Sequence, residues 1–128
     1  MKNNITTTLN VNENEIRVMR VENEDYISIT DLARYKNPKE PSDVIKKWLS
    51  NYDTIEFLGL WEELSNENFN SAEFSRIKNE APKRSFCMSP SQWCIRVNSK
   101  GIIYSKGKYS IGTFAHSDIA LEFASWID

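Results

Sequence analysis

The chain of 128 residues carries one histidine, His116, two cysteines, Cys87 and Cys94, and an adjacent carboxylate pair, Glu62-Glu63. Catalysis or metal binding would have to be built from these. A metal site around His116 needs further ligands at turn or helical spacing, yet the nearest acid in sequence is Asp118, and neither His-x-x-x-His nor Glu-x-x-His occurs. His116 therefore reads as a hydrogen-bonding residue at a strand-to-helix junction. Cys87 and Cys94 lack the Cys-x-x-Cys spacing of a zinc or redox pair, and read as reduced thiols packed in or near the core. Glu62 and Glu63 are neighbours in a helical pattern, so they point in different directions and read as solvated surface instead of an acid–base pair. The stretch "KGKYSIG" lacks the spacing and the Lys-Ser/Thr ending of a phosphate-binding loop. The expectation is a protein without catalytic residues, metal, cofactor or small-molecule substrate.

What the chain does offer is segregated charge. Its net charge is −2, which taken alone disfavours a polyanion as partner. Between Ala81 and Ser117, however, stand Lys83, Arg84, Arg96, Lys100, Lys106 and Lys108 with no acid among them. A second basic cluster comprises Arg34, Lys36, Lys39, Lys46 and Lys47, diluted by Glu40 and Asp43. Residues 51–80 are the reverse, with Asp53, Glu56, Glu62, Glu63, Glu67, Glu73 and Glu80 against Arg76 and Lys78. Such a chain can present one basic and one acidic face, and local potential, not net charge, steers a polyanion.

The elements that position these charges follow from periodicity. The length suits one domain, with a flexible or edge-strand N-terminus over 1–14 and the folded module over 15–128. No run is long and apolar enough for a membrane span, and the N-terminus lacks the apolar core of a signal peptide, so a cytoplasmic protein is expected. Alternation in "EIRVMRV" and "YISI" around "ENED" predicts a β-hairpin. Thr30-Asp31 then opens a short helix "DLARY", ended by "KNPKEP". Ser42 caps a second helix in which Val44, Ile45, Trp48 and Leu49 form the buried stripe and Lys46 and Lys47 face outward. "TIEFLGLWEEL" is helical, Asn66 to Ser71 is a loop, and "SAEFSRIKNEA" adds helical turns. Ser89-Pro90 starts a helix that buries Trp93, Cys94 and Val97 and ends at Gly101. "IIYS" and "YSIGTFA" read as strands joined by the "KGK" turn. Ser117-Asp118 caps a last helix whose Ile119, Phe123 and Trp126 point to the core. Tyr104 and Tyr109, beside lysines on that hairpin, are the aromatic side chains best placed for nucleic-acid contact.

The stretches "YISITDLARY", "IKKWLSNYDTIEFLGLWEELSNENFN", "FCMSPSQWCIRVNSKGI" and "GKYSIGTFAHSDIALEFASWI" together resemble the KilA-N domain, a DNA-binding module of phages, bacteria and large DNA viruses that is related to fungal APSES domains. The resemblance covers most of residues 15–127. It implies an α+β, winged-helix-like arrangement: a small antiparallel sheet, a helix-turn-helix-like pair formed by "DLARY" and "SDVIKKWLSN", and a β-hairpin wing formed by "GIIYSKGKYSIGTFA". One departure stands out. Where the family pattern runs close to Gly-Arg-Tyr-Gly-Gly-Thr, this chain has Gly107-Lys108-Tyr109-Ser110-Ile111-Gly112-Thr113, one residue longer and one glycine poorer. Lysine in place of arginine at 108 favours a phosphate contact over bidentate base reading.

The resemblance implies double-stranded DNA as partner, in phage-derived or transcriptional regulation. On that reading Arg34, Lys46, Lys47, Lys100, Lys106 and Lys108 hold phosphates, with Arg96 a further member of the set, while Tyr109 and polar residues near Lys46 reach base edges. The competing reading is a protein-interaction module that uses the acidic face of residues 51–80.

Overall fold

The computed structural model describes residues 5–128, apart from the side chain of Thr6. The first four residues of the N-terminal segment lie outside the described residues. The chain folds as α+β: β1 (Ile5–Val11), β2 (Asn14–Val21), β3 (Glu24–Ser28), α1 (Ile29–Lys36), α2 (Pro41–Leu49), α3 (Tyr52–Ser65), α4 (Ser71–Glu80), α5 (Pro90–Val97), β4 (Ile102–Ser105), β5 (Gly112–His116) and α6 (Ser117–Ile127). The five strands form one antiparallel sheet in the order β1-β2-β3-β5-β4.

The expected hairpin is present, and a second precedes it. Both close through two left-handed residues, Asn12-Glu13 and Glu22-Asn23, the backbone pattern whose twist matches paired strands. The last strand pair sits beyond β3, because the chain returns from five helices to lay β5 against it, with Tyr26 opposite His116 and Ser28 opposite Phe114. Strand alternation then sorts side chains onto two faces. On one, Ile27, Ile102 and Ala115 meet the helices. Ile29 and Ala33 of α1, Ile45, Trp48 and Leu49 of α2, Ile55 and Leu58 of α3, Trp93 and Val97 of α5, and Ile119 and Phe123 of α6 all join that cluster. On the other face Met19, Tyr26 and Phe114 form a smaller cluster, flanked by Ile5, Val21 and Ile103.

Several helix boundaries differ from expectation, each for a local reason. Ser28, the last residue of β3, caps α1 by accepting from the Asp31 amide at 3.0 Å, in place of Thr30. Thr30 instead accepts from the Thr113 amide at 2.8 Å and ties α1 to β5. α2 starts at Pro41 without a side-chain cap, so Ser42 lies inside it. Ser89 caps α5 in a full capping box with Gln92, as its Ser-Pro start predicts. That helix ends earlier than Gly101, at Asn98, which takes the left-handed conformation that closes it. α6 is capped by the His116 side chain, not by Ser117: its Nδ1 accepts from the Asp118 amide. Nδ1 is thus the acceptor nitrogen, and the Nε2 proton is donated to Glu24 at 3.0 Å.

The largest corrections concern burial. Glu62, expected on the surface, is 0% exposed. One of its oxygens accepts from the Gly101 amide at 2.8 Å and from Ser99 Oγ at 3.0 Å, and the other from the Lys100 amide at 3.0 Å and Asn66 Nδ2 at 2.9 Å. This carboxylate ties the turn between α5 and β4 to the end of α3. Trp126, expected in the core, is 42% exposed and stacks on Phe123. Cys87 is exposed as well, whereas Cys94 is held against β4, its Sγ donating to the Ile102 carbonyl, and burial pushes its thiol up to about 11.

Asp31 anchors the start of α1 from the opposite direction. Its carboxylate takes the Arg17 guanidinium through two hydrogen bonds, at 2.9 and 3.0 Å, together with the Arg17 amide at 3.0 Å and Arg34 at 2.9 Å. Burial pushes the carboxyl up, but the hydrogen bonds and charge of Arg17, with help from Arg34, outweigh it and hold it below its ordinary value. A depressed folded-state value stabilises the fold above the unfolded-state value, and that contribution disappears as pH falls through the lowered one. Urea midpoints should therefore decline below about pH 4. Asp31→Asn should cost about 2 kcal/mol at neutral pH and flatten that acid limb.

Candidate nucleic-acid interface

α1 and α2 are joined by a short turn at 37–40, and the Asn37 amide closes α1 on the Ala33 carbonyl. α2 buries Ile45, Trp48 and Leu49 and leaves Ser42, Asp43, Lys46 and Lys47 exposed. Its apolar stripe thus fixes which face is presented. The β4–β5 hairpin approaches the same helix. Thr30 of α1, Pro41, Ser42, Asp43, Ile45 and Lys46 of α2, Ser89, Pro90 and Ser91 at the start of α5, and Tyr104, Gly112 and Thr113 of the hairpin together line a cleft of about 330 Å³.

The hairpin is shorter in strand and longer in loop than its sequence suggests. β5 begins at Gly112, so Tyr109 to Ile111 are not strand but complete a loop over 106–111. Two serines organise it: Ser105 and Ser110 meet through their hydroxyls at 2.9 Å, the Gly107 amide donates to Ser105 Oγ, and the Ser110 amide donates to the Gly107 carbonyl. Ser110 is buried in consequence. The loop ends on Ile111, which is exposed, followed by Gly112 at φ 130°. A Cβ at Gly112 would stand 2.9 Å from Thr30 Oγ1 in a conformation L-residues avoid. Gly112→Ala should destabilise the protein by roughly 1 to 3 kcal/mol, read as a lower urea midpoint, and loosen the hairpin at its base.

The loop presents Lys106, Lys108 and Tyr109, the last 79% exposed. The Lys106 ammonium lies 5.9 Å from the centre of the Tyr104 ring and that of Lys108 lies 5.3 Å from Tyr109. Each cation is thus paired with an aromatic face, which orients the lysine without neutralising it. Among the described residues no carboxylate pairs with Lys46, Lys47, Lys106 or Lys108.

The remaining candidates stand elsewhere or are already engaged. Arg34 is half exposed and shares Asp31 with Arg17. Lys100 reaches the end of α3, where Nζ donates to the Ser65 carbonyl at 3.0 Å. Arg96 is held by Glu73 at 2.6 Å and Glu80 at 3.1 Å, between α5 and α4. Its charge is spent within the fold. Ser91 and Ser89, which line the cleft, had no sequence signal beyond the helix start they form, because nothing local tells that α5 begins beside α2.

Among the described residues no group of three or more histidine, cysteine, aspartate or glutamate side chains is gathered as for a metal, and no helix is long and apolar enough to cross a membrane. The KilA-N domain family model matches residues 9–128, nearly the whole chain. No curated protein and no solved structure matches significantly.

Proposed function

The chain belongs to the KilA-N domain family, and from that premise, which implies a DNA-binding module, we propose that it grips double-stranded DNA with α2 and the 106–111 loop together. Lys46 and Lys47 on the helix, and Lys106 and Lys108 on the loop, contact phosphates. Ser42 and Tyr109 are the polar and aromatic groups placed to meet base edges, and Arg34 adds charge at the end of α1. Lys100 and Arg96 fall outside this set, since their cationic groups are bound within the fold. The role served is transcriptional or phage-derived regulation, by docking and without covalent chemistry.

The observation that carries the reading is the shared cleft. Lys46 of α2 and the base of the lysine-tipped hairpin line the same concavity, so a helix and a loop with unneutralised cations flank one surface. A duplex laid there meets both.

Anisotropy of a labelled random-sequence duplex at low salt tests it. The protein should bind, Lys46→Ala should weaken binding alike on every sequence, and Arg96→Ala should leave it unchanged. Absence of binding, or a larger loss from Arg96→Ala than from Lys46→Ala, would overturn the assignment.

A further inference from the structure

The acidic half of the molecule carries a groove of its own. α3 buries Thr54, Ile55, Leu58, Gly59 and Glu62, yet Phe57, Leu60 and Leu64 recur at i, i+3 and i+7 on another side of the same helix. Leu60 is 60% and Leu64 78% exposed. Phe57 is partly buried against the core, but a helix packed along one face has no structural need for the exposed Leu60 and Leu64. Next to it, Phe74 of α4 packs its ring onto Gly59, where a Cβ would collide with it, and so forms a fixed apolar floor between the two helices. The groove measures about 620 Å³ and is lined by Asp53, Glu56, Phe57, Leu60, Glu63, Phe74 and Lys78.

The charge around that apolar strip is one-sided. Asp53, Glu56 and Glu63 rim it, and the one basic residue of the lining, Lys78, lies over the Phe74 ring at 5.7 Å and near Glu56 at 3.9 Å. The acids of residues 51–80 are not equivalent. Glu62 is buried, and Glu73 and Glu80 are taken by Arg96. The acids left facing solvent beside the exposed leucines lie along α3: Asp53, Glu56, which shares Lys78, and Glu63, which accepts from the Ser71 hydroxyl at 2.8 Å.

We propose that the α3–α4 groove docks an amphipathic basic helix of a partner protein. Its apolar side chains, spaced at i, i+3 and i+7, lie on Phe57, Leu60 and Phe74, and its lysines or arginines meet Asp53, Glu56 and Glu63. Such a helix displaces the Lys78 ammonium from the Phe74 ring. Nucleic acid is excluded from this groove by the sign of its rim, so the site is independent of DNA binding.

The test uses the whole chain and two synthetic helical peptides, one with leucines at i, i+3 and i+7 among lysines, the other with glutamates replacing the lysines. In amide spectra the lysine peptide should shift resonances confined to α3 and α4, and the glutamate peptide should shift none there. Leu60→Ser should weaken the lysine peptide about tenfold. Reversal of Glu56 and Glu63 to lysine should abolish it, and Lys78→Ala should tighten it. Thermal melting should be unchanged in Leu60→Ser, whose side chain is largely exposed, and little changed in Lys78→Ala, whose half-exposed ammonium makes only one long ion pair with Glu56. Shifts scattered over the molecule, equal binding of both peptides, or indifference to Leu60→Ser would overturn the proposal. Because duplex binding is read separately, failure here leaves the DNA reading standing, and the reverse.

Discussion

Replacing Glu62 with alanine lowers the folding free energy by roughly 3 to 5 kcal/mol, the largest loss expected of any exchange on α3. The carboxylate is fully buried and satisfies the Lys100 and Gly101 amides, the Ser99 hydroxyl and the Asn66 amide group. Alanine leaves the Lys100 and Gly101 amides facing a void with no acceptor, whereas Ser99 and Asn66 keep the Ile102 and Asn98 carbonyls. An unpaired buried donor costs far more than a net hydrogen bond contributes, and two are orphaned together. Glutamine keeps the volume but turns an NH₂ toward groups that are themselves donors, so most of the loss persists. Urea unfolding measures it. A melt within about 1 kcal/mol of the parent would show that the turn at 99–101 is held by something else.

The second large effect is on binding. Reversing Lys46, Lys106 and Lys108 to glutamate should weaken duplex affinity about a thousandfold at physiological salt. Each exposed unit charge beside a phosphate is worth about 1 kcal/mol before screening. Three attractions are lost and three repulsions created, which after screening leaves about 4 kcal/mol. The fold should survive, because all three side chains are exposed and none pairs with a carboxylate among the described residues. Duplex anisotropy reads the first statement and thermal melting the second. A triple variant that melts like the parent and still binds as tightly would remove α2 and the loop from the interface.

These two effects differ in how far the sequence discloses them. Lysines 46, 106 and 108 are legible, because an apolar stripe fixes the outward face of α2, and a glycine between lysines after a short β-rich run signals a hairpin tip. Glu62 is not. Its neighbour Glu63 has the same chemistry, and what buries one and not the other is the arrival of residues 98–101 from beyond two further helices. The caps follow the same logic. Ser28 and His116 end strands before they begin helices, so the alternation of the strand hides the capping residue. Trp126 falls near the buried stripe of its helix by periodicity, yet at the end of α6 it is Ile127 that packs against the core, while Trp126 stays half exposed on Phe123. Periodicity gives direction around an axis, not how far along it the neighbouring elements extend. At Tyr109 to Ile111 the β-branched and aromatic residues suggest strand, whereas a serine pair and a left-handed glycine shape a loop over 106–111.

The salt dependence of duplex binding tests the central claim most directly. If Lys106 and Lys108 both contact phosphates, a plot of log affinity against log salt for the Lys106→Ala, Lys108→Ala double variant should be flatter than that of the parent by about 1.8, since each contact contributes about 0.9. Parallel lines for the two proteins would contradict it, and the hairpin loop would then have no part in holding DNA.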